Sequence, residues 1–455
     1  MTIQLIWAIF AGLVLLMPLA FGSYAPWVWS LGGVIIAGLV LLLAWRSLKV
    51  EAELAWRGVL GVPLILFAGV TLWILIQYSG LGPAHPIWAL AADALGEKTL
   101  PGSMSIAPQS TLVSLIRLLS FAGAFWIGLQ GGRDLDRAFQ FLRWFSYASG
   151  AYALYGLIAF VAGNEYLLWR VRESYLKDVT GTFVNHNSYA TFAGLGLITA
   201  TALLIQEVRR AWRLDDPTQP PLARSLNILR GEVAIQATIV PVVVMALLQS
   251  HSRMGVFATA CGMVALLLVG RVIRTARGRM IGGGISLLVG IGLFAISGNL
   301  LAERIGQTTE NDRLPIFALT IKAIETAPLG GHGYGSFANV FPMFRDMTLP
   351  NSSVYGFAHD TYLELALEIG LPATIALTFA VLWLSVLCLI GAYRRNRDEI
   401  IPSIAFAAAV LIGTHALLDF SVQMPAIGCL FGALLGIGNA QAWSLMVRKA
   451  RGATE

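Results

Sequence analysis

One imidazole, two carboxylates and two guanidinium groups stand out in this 455-residue chain, because almost everything around them is apolar. His359 precedes a long apolar run in AHDTYLELALEIG, and Glu364 and Glu368 follow it four residues apart, on one face of the helix that run must form. Acids at membrane depth are costly unless they are paired or functional. A neutral imidazole at a water boundary can take a proton from an incoming hydroxyl near physiological pH, with a carboxylate to orient it. His359 is therefore a candidate general base and Glu364 its candidate carboxylate. A polar helix start accounts for the same residues: Asp360 or Thr361 can cap the helix, and Thr361 and Glu364 stand at capping-box spacing.

Two cations could act opposite that base. Arg253 lies in the short connection QSHSRMG, and Arg313 lies in ENDRLP at the start of a predicted loop helix. Guanidinium forks match phosphate oxygens bidentately and stay charged, so the pair could clamp a diphosphate and stabilise it as a leaving group without a metal. The plainer readings are a side chain snorkelling to lipid headgroups for Arg253 and a solvated charge for Arg313.

Supporting candidates are His332, Glu368, His186 and Arg117. His332 sits in GHGYG, where Gly331, Gly333 and Gly335 read as a tight turn, lacking the strand-turn-helix setting of a dinucleotide fingerprint. His186 in GTFVNHNSYATF reads equally as part of a polar helix cap with Asn185 and Asn187. Arg117 is an intramembrane charge with no partner legible in the sequence. His415 and Asp419, four apart, are expected to pair on one helix. Asp134 and Asp136 form a D-x-D motif, but Arg133 and Arg137 flank it in a tiny loop on the predicted inner side. Cys261, Cys388 and Cys429 lie in apolar runs, with neither disulfide nor metal-ligand spacing.

The elements that must position these residues are transmembrane helices. At 57% hydrophobic and 12% charged, with a mean hydropathy of +0.72, the chain departs from soluble domains, in which about 25% of residues are charged. Apolar windows of about 20 residues fall near 3–21, 26–45, 58–77, 111–130, 140–162, 188–206, 233–250, 254–273, 281–298, 361–393, 401–420 and 426–446. The reading is an all-α polytopic integral membrane protein of about twelve helices, with 3–21 as a retained first helix. A cytoplasmic N-terminus gives the inner loops most of the 31 Lys and Arg residues, among them Arg133, Arg137, Arg209, Arg210, Arg394 and Arg395. Both termini are then cytoplasmic, and the +6 net charge needs anionic lipid as its partner, with no nucleic acid. The outer loops are about 78–110, 163–187 and 299–360. The last, between helices nine and ten, is rich in Gly, Pro and aromatics and reads as folded, within one membrane domain spanning 1–455.

Taken together, SRMG at Ser252–Gly255, DRLPIFALTIKAIETAPLGGHGYGSF at Asp312–Phe337 and AHDTYLELALEIG at Ala358–Gly370 resemble the O-antigen ligase and polymerase family. GTFVNHNSYATF and HALLDFSVQMPA are similar to accessory motifs of its members, while Met254 stands where many members have glycine. The resemblance implies a GT-C-like membrane fold and metal-independent, inverting transfer of a glycan from undecaprenyl diphosphate to an acceptor hydroxyl in the periplasm. It implies that His359 activates the acceptor and that Arg253 and Arg313 bind the diphosphate, with no cofactor. The acceptor would be lipid A core for a ligase, or the next lipid-linked repeat for a polymerase; GTFVNHN and LLDFSVQMP look nearer the exopolysaccharide-type polymerases. A chain-length regulator is a candidate outer-face partner. The alternatives are a protein O-oligosaccharyltransferase and, from another class, a secondary transporter of twelve helices.

Overall fold

Where no water reaches, backbone groups must bond internally, so apolar runs of this length fold as helices. The computed structural model describes residues 2–50, 60–214, 229–269, 313–350, 353–395 and 398–451. Its helices are α1 Ile3–Leu16, α2 Pro26–Val50, α3 Gly61–Tyr78, α4 Ile87–Leu95, α5 Pro108–Gly131, α6 Leu135–Val161 and α7 His186–Leu214. They continue as α8 Glu232–Leu248, α9 Arg253–Val269, α10 Arg313–Thr326, α11 Phe337–Phe344, α12 Thr361–Arg394, α13 Ile400–His415 and α14 Pro425–Arg451. Among the described residues the strands form a single short antiparallel hairpin, β1 Tyr166–Leu167 with β2 Arg170–Val171.

Seven of these helices are long and apolar enough to cross a membrane, and α1, α8, α9 and α13 are apolar but shorter. Each predicted window contains one of them except 281–298, which lies outside the described residues, as do loop residues 299–312. The segment 78–110, read as loop, contains α4, which closes on Gly96 in the left-handed conformation (φ 70°). The helix expected after Pro315 begins two residues earlier, at Arg313, and places that proline in its first turn, where the missing N–H costs little.

The interior belongs to α14 and α7: the apolar window Pro425–Ala442 is wholly buried, and 83% of that in α7 is. α14 packs chiefly on α5. A Cβ on Gly432 would lie 2.6 Å from the Phe121 carbonyl oxygen, and one on Gly436 would lie 2.2 Å from that of Phe125. Glycine at this four-residue spacing lets the two backbones touch, as small residues do between membrane helices. Cys388 and Cys429 are free and buried, and Cys261 is free and half-buried, in keeping with small packing residues.

The feature that sets up the site is a break in α12. Gly370 is non-helical, at φ 79° and ψ 162°, and Pro372 follows two residues later. A break exposes carbonyls, and each must find a donor. Here the N–H groups of His332 and Gly333 donate to the Leu367 and Glu368 carbonyls, both at 2.9 Å. From α3, Trp73 Nε1 donates to the Ile369 oxygen at 3.0 Å, and Gln77 Nε2 donates to the oxygens of Glu368 at 2.9 Å and Gly330 at 2.7 Å. The GHGYG segment is the tight turn expected, with positive φ at Gly331, Gly333 and Gly335. It lies so close to the break that a Cβ on Gly331 would meet the Glu368 oxygen at 2.3 Å.

Candidate active site

His359 stands at the mouth of α12, and its neighbours hold that helix end in place. Asp360 is the N-cap; its carboxylate accepts the N–H groups of Tyr362 and Leu363, each at 2.9 Å. The capping box anticipated between Thr361 and Glu364 does not form. Thr361 donates its hydroxyl to the Asp419 carbonyl oxygen and its N–H to that of Ala416, both at 2.8 Å. Glu364 Oε2 instead accepts the Ala358 N–H at 2.7 Å, and Gln423 hydrogen-bonds the same carboxylate. Glu364 thus grips the backbone beside His359, and its described hydrogen bonds do not include the imidazole.

The His359 ring lies edge-on to Phe420 at 5.2 Å, and Phe420 stacks on Phe357 at 4.1 Å. His359 Nδ1 is buried and has no hydrogen-bond partner among the described residues. Burial pushes the imidazole below its ordinary value of 6.5; Asp419 pulls the other way, and Arg313 adds to the lowering. Asp419, whose charge reaches His359, is 1% exposed. The Ser421 hydroxyl donates to Asp419 Oδ1, while Oδ2 is buried without a hydrogen-bond partner among the described residues. His415 and Asp419 do interact electrostatically, but not along one helix as expected: α13 ends at His415, and Asp419 lies in the turn beyond it. His415 Nδ1 shares a hydrogen bond of 2.8 Å with the Thr191 hydroxyl.

Helix N-termini converge on this point. Asn185 caps α7 by accepting the N–H groups of Asn187 at 2.7 Å and Ser188 at 3.2 Å. Ser252 caps α9 by accepting the Gly255 N–H at 3.2 Å, and its hydroxyl donates to Asn187 Oδ1 at 2.6 Å, tying the two helix starts together. Arg253 is the first residue of α9, and Arg313 is the first of α10. A cation in a first helical turn opposes the helix dipole. Helix N-termini favour anions, and each of these two starts carries a guanidinium on its first residue.

His186 opens α7 and belongs to the same cluster. Its Nδ1 donates to the Ser250 oxygen at 2.8 Å and lies 3.2 Å from Asp178 Oδ2, while His251 Nδ1 donates to Asp178 Oδ1 at 2.8 Å. Tyr175 stacks on His186 with ring centres 4.4 Å apart. Burial pushes the Asp178 carboxyl up, but the His186 and His251 contacts outweigh it and hold the group below its ordinary range. Asn164 Nδ2 ties this loop by donating to the carbonyls of Leu176 at 2.8 Å and Asp178 at 3.0 Å. Tyr175, His251 and His359 all have positive φ, at 57°, 52° and 56°. Side chains rarely adopt that conformation without a surrounding structure that enforces it, and such residues concentrate at functional sites. Sequence reading missed Asp178 and Tyr175. The only signal for them was a polar stretch just ahead of GTFVNHN.

His332, Glu368 and Arg117 lie in a second group. Glu368 Oε1 accepts the Phe337 N–H at 3.0 Å, and Gly335 also donates to the carboxylate. Arg117, which sequence reading left without a partner, acts electrostatically on Glu364 and Glu368, and its guanidinium lies over the Trp29 ring at 5.2 Å. His332 is 3% exposed and forms one link of a relay. The Ile87 N–H donates to His85 Nδ1 at 3.2 Å, His85 Nε2 donates to His332 Nδ1 at 3.1 Å, and His332 Nε2 donates to the Ala323 oxygen at 3.1 Å. Every link fits neutral rings. Burial lowers both imidazoles, helped in His85 by His332 and opposed in His332 by its bond to Ala323.

A cleft of about 1080 Å³ lies elsewhere, lined by Trp7, Arg137, Arg143, Tyr147, Glu207 and Arg210. Glu207 is roughly 30 Å along α7 from His186, at 1.5 Å per residue. Its cations are engaged: Arg143 pairs with Glu207 at 2.6 Å, and Arg137 Nε donates to the Gly131 oxygen at 3.0 Å. Asp134 of the nearby D-x-D serves as the N-cap of α6, accepting the Arg137 N–H at 2.9 Å. The size of this cleft does not outweigh the chemistry gathered at the other end.

No curated protein matches the chain. The family model described as O-antigen ligase matches residues 238–378, a span that includes Arg253, Arg313, His332, His359, Glu364 and Glu368 and stops short of Asp419. Residues 238–378 are thus similar to the O-antigen ligase family, and apolar helices lie on either side of that span.

Proposed function

We propose that the chain is a membrane glycosyltransferase with twelve crossings and GT-C-like architecture, with both termini cytoplasmic in the bacterial inner membrane. It transfers a glycan from undecaprenyl diphosphate to an acceptor hydroxyl at the periplasmic face, in surface-polysaccharide synthesis. The whole chain acts as one domain, and loop 299–360 forms part of the site.

His359 takes the proton as the acceptor oxygen attacks the anomeric carbon. The bond from that carbon to the diphosphate breaks on the opposite face, so configuration inverts and the electron pair leaves with the diphosphate. Arg253 and Arg313, aided by the helix N-termini, meet the growing negative charge, which lets fixed cations do the work otherwise asked of a metal. Asp419 steadies the imidazolium that forms, and Glu364 positions the backbone that carries His359.

The observation that carries this reading is the shared electrostatic neighbourhood of His359, Asp419 and Arg313 beside the starts of α7, α9 and α12. The deciding experiment is an electrophoretic profile of surface and lipid-linked glycans from a deletion strain complemented with wild type or His359→Ala. Full-length chains stranded on the carrier mark a ligase, and single repeats without long chains mark a polymerase. An unchanged profile would overturn the assignment to bulk surface glycans. Activity of the purified protein is expected to survive a strong divalent chelator, and its loss would remove the metal-independent mechanism.

A further inference from the structure

Asp178 spends its carboxylate on two histidines at once. Oδ1 accepts from His251 Nδ1 at 2.8 Å, and Oδ2 lies 3.2 Å from His186 Nδ1, which also donates to the Ser250 oxygen. With Nδ1 committed as a donor, the chemistry of His186 is left to Nε2. That atom makes no hydrogen bond among the described residues, yet it is not among the sealed polar atoms, and the side chain is 15% exposed. Nε2 points away from these partners and is a donor in the doubly protonated ring.

The surroundings give that donor a direction. Ser250, which accepts from His186, is three residues before Arg253. His186 and Arg313 both lie within electrostatic reach of His415. Further ionisable neighbours are Tyr175, stacked on the ring, Asp419, which acts on Tyr175 and His415, and Arg172, which donates to the Tyr175 carbonyl at 2.8 Å. His186 is also the first residue of α7, where the helix end itself favours an anion.

We infer that His186, held by Asp178, is a third hydrogen-bonding contact for the prenyl diphosphate, beside Arg253 and Arg313. This deepens the proposed function and rests on it. The role is binding: His186 donates from Nε2 to a phosphate oxygen, while His359 handles the acceptor proton. Asp178 acts through His186 as a positioning residue.

The test is titration of the detergent-purified full chain with farnesyl diphosphate, a short prenyl diphosphate. Wild type is expected to bind saturably, His186→Gln roughly tenfold more weakly, as for loss of one charge-assisted hydrogen bond, and His186→Arg close to wild type. Asp178→Asn is expected to weaken binding in the same direction, and in turnover His186→Gln should raise KM for the lipid-linked donor more than it lowers kcat. Equal binding by wild type and His186→Gln, with binding lost in Arg313→Gln, would overturn this inference and leave the proposed function standing. No binding by wild type would overturn the diphosphate reading itself. If His186→Arg were worse than His186→Gln, with kcat falling, His186 would be an acceptor-side base and the inference would be wrong.

Discussion

Two buried polar groups lie around the first turns of α12, and they are finished differently. In the inner group Glu364 and Glu368 accept backbone N–H groups, and both ring nitrogens of His332 are engaged. In the outer group His359 Nδ1 and Asp419 Oδ2 are buried without hydrogen-bond partners among the described residues, and His186 Nε2 is likewise unbonded there. Native proteins rarely leave buried polar atoms unpaired, so where they do, an unmet ligand is a physical reason. The inner group also has unpaired atoms, Arg117 Nε and Gln77 Oε1, but its carboxylates and its imidazole are engaged, and it works as a brace. The outer group is the one prepared to meet something. Both groups hold acids and histidines, so composition alone does not separate them.

The largest effect should come from the open group. His359→Ala is expected to lower transfer by about 10²–10⁴-fold with unchanged membrane abundance, measured as turnover of a lipid-linked donor; retained turnover would dissolve the distinction between the groups. Arg253→Lys and Arg313→Lys keep the charge but lose the planar fork, and each should cost roughly 10–100-fold in kcat/KM. Near-normal turnover would return either residue to a surface or snorkelling role.

Substitutions in the brace should act on stability first. Glu364→Gln retains an oxygen for the Ala358 N–H and should keep most activity, whereas Glu364→Ala should destabilise the fold by about 1–3 kcal/mol. If Glu364→Gln proved as damaging as His359→Ala, Glu364 would belong to the chemistry and the comparison would fail. Gly370→Ala places a Cβ 2.3 Å from the Leu329 oxygen at a positive φ, and a loss of about 1–3 kcal/mol is expected in thermal unfolding.

The mildest test is pH. Burial lowers His359 below 6.5, so its neutral, proton-accepting form is complete at neutral pH. Activity should therefore be flat above that value and fall only as pH drops through the lowered pKa. A fall beginning well above pH 7 would assign the limb to another group.

Much of this was legible in the residues. Apolar windows marked the helices because a membrane leaves a backbone no other way to bond, and GHGYG read as a turn because glycine alone adopts three positive φ values cheaply. His359, Arg253 and Arg313 could be singled out because charged or titratable groups are conspicuous in so apolar a chain. The break in α12 was written there too, in EIGLP, but its carbonyls are met by Trp73 and Gln77, nearly 300 residues earlier.

What composition, periodicity and spacing determined by themselves was which segments enter the membrane and which side chains would be costly there, because both follow from local transfer free energies. Tertiary structure alone decided which of those side chains meet. Glu364 turned to the Ala358 amide, Asp419 came to His359 from beyond α13, and Asp178 reached across to His186 and His251. Hydrogen bonds and Coulomb forces act over a few ångströms of space, and the packing of α7, α9, α12 and α13 sets those distances whatever the separation along the chain.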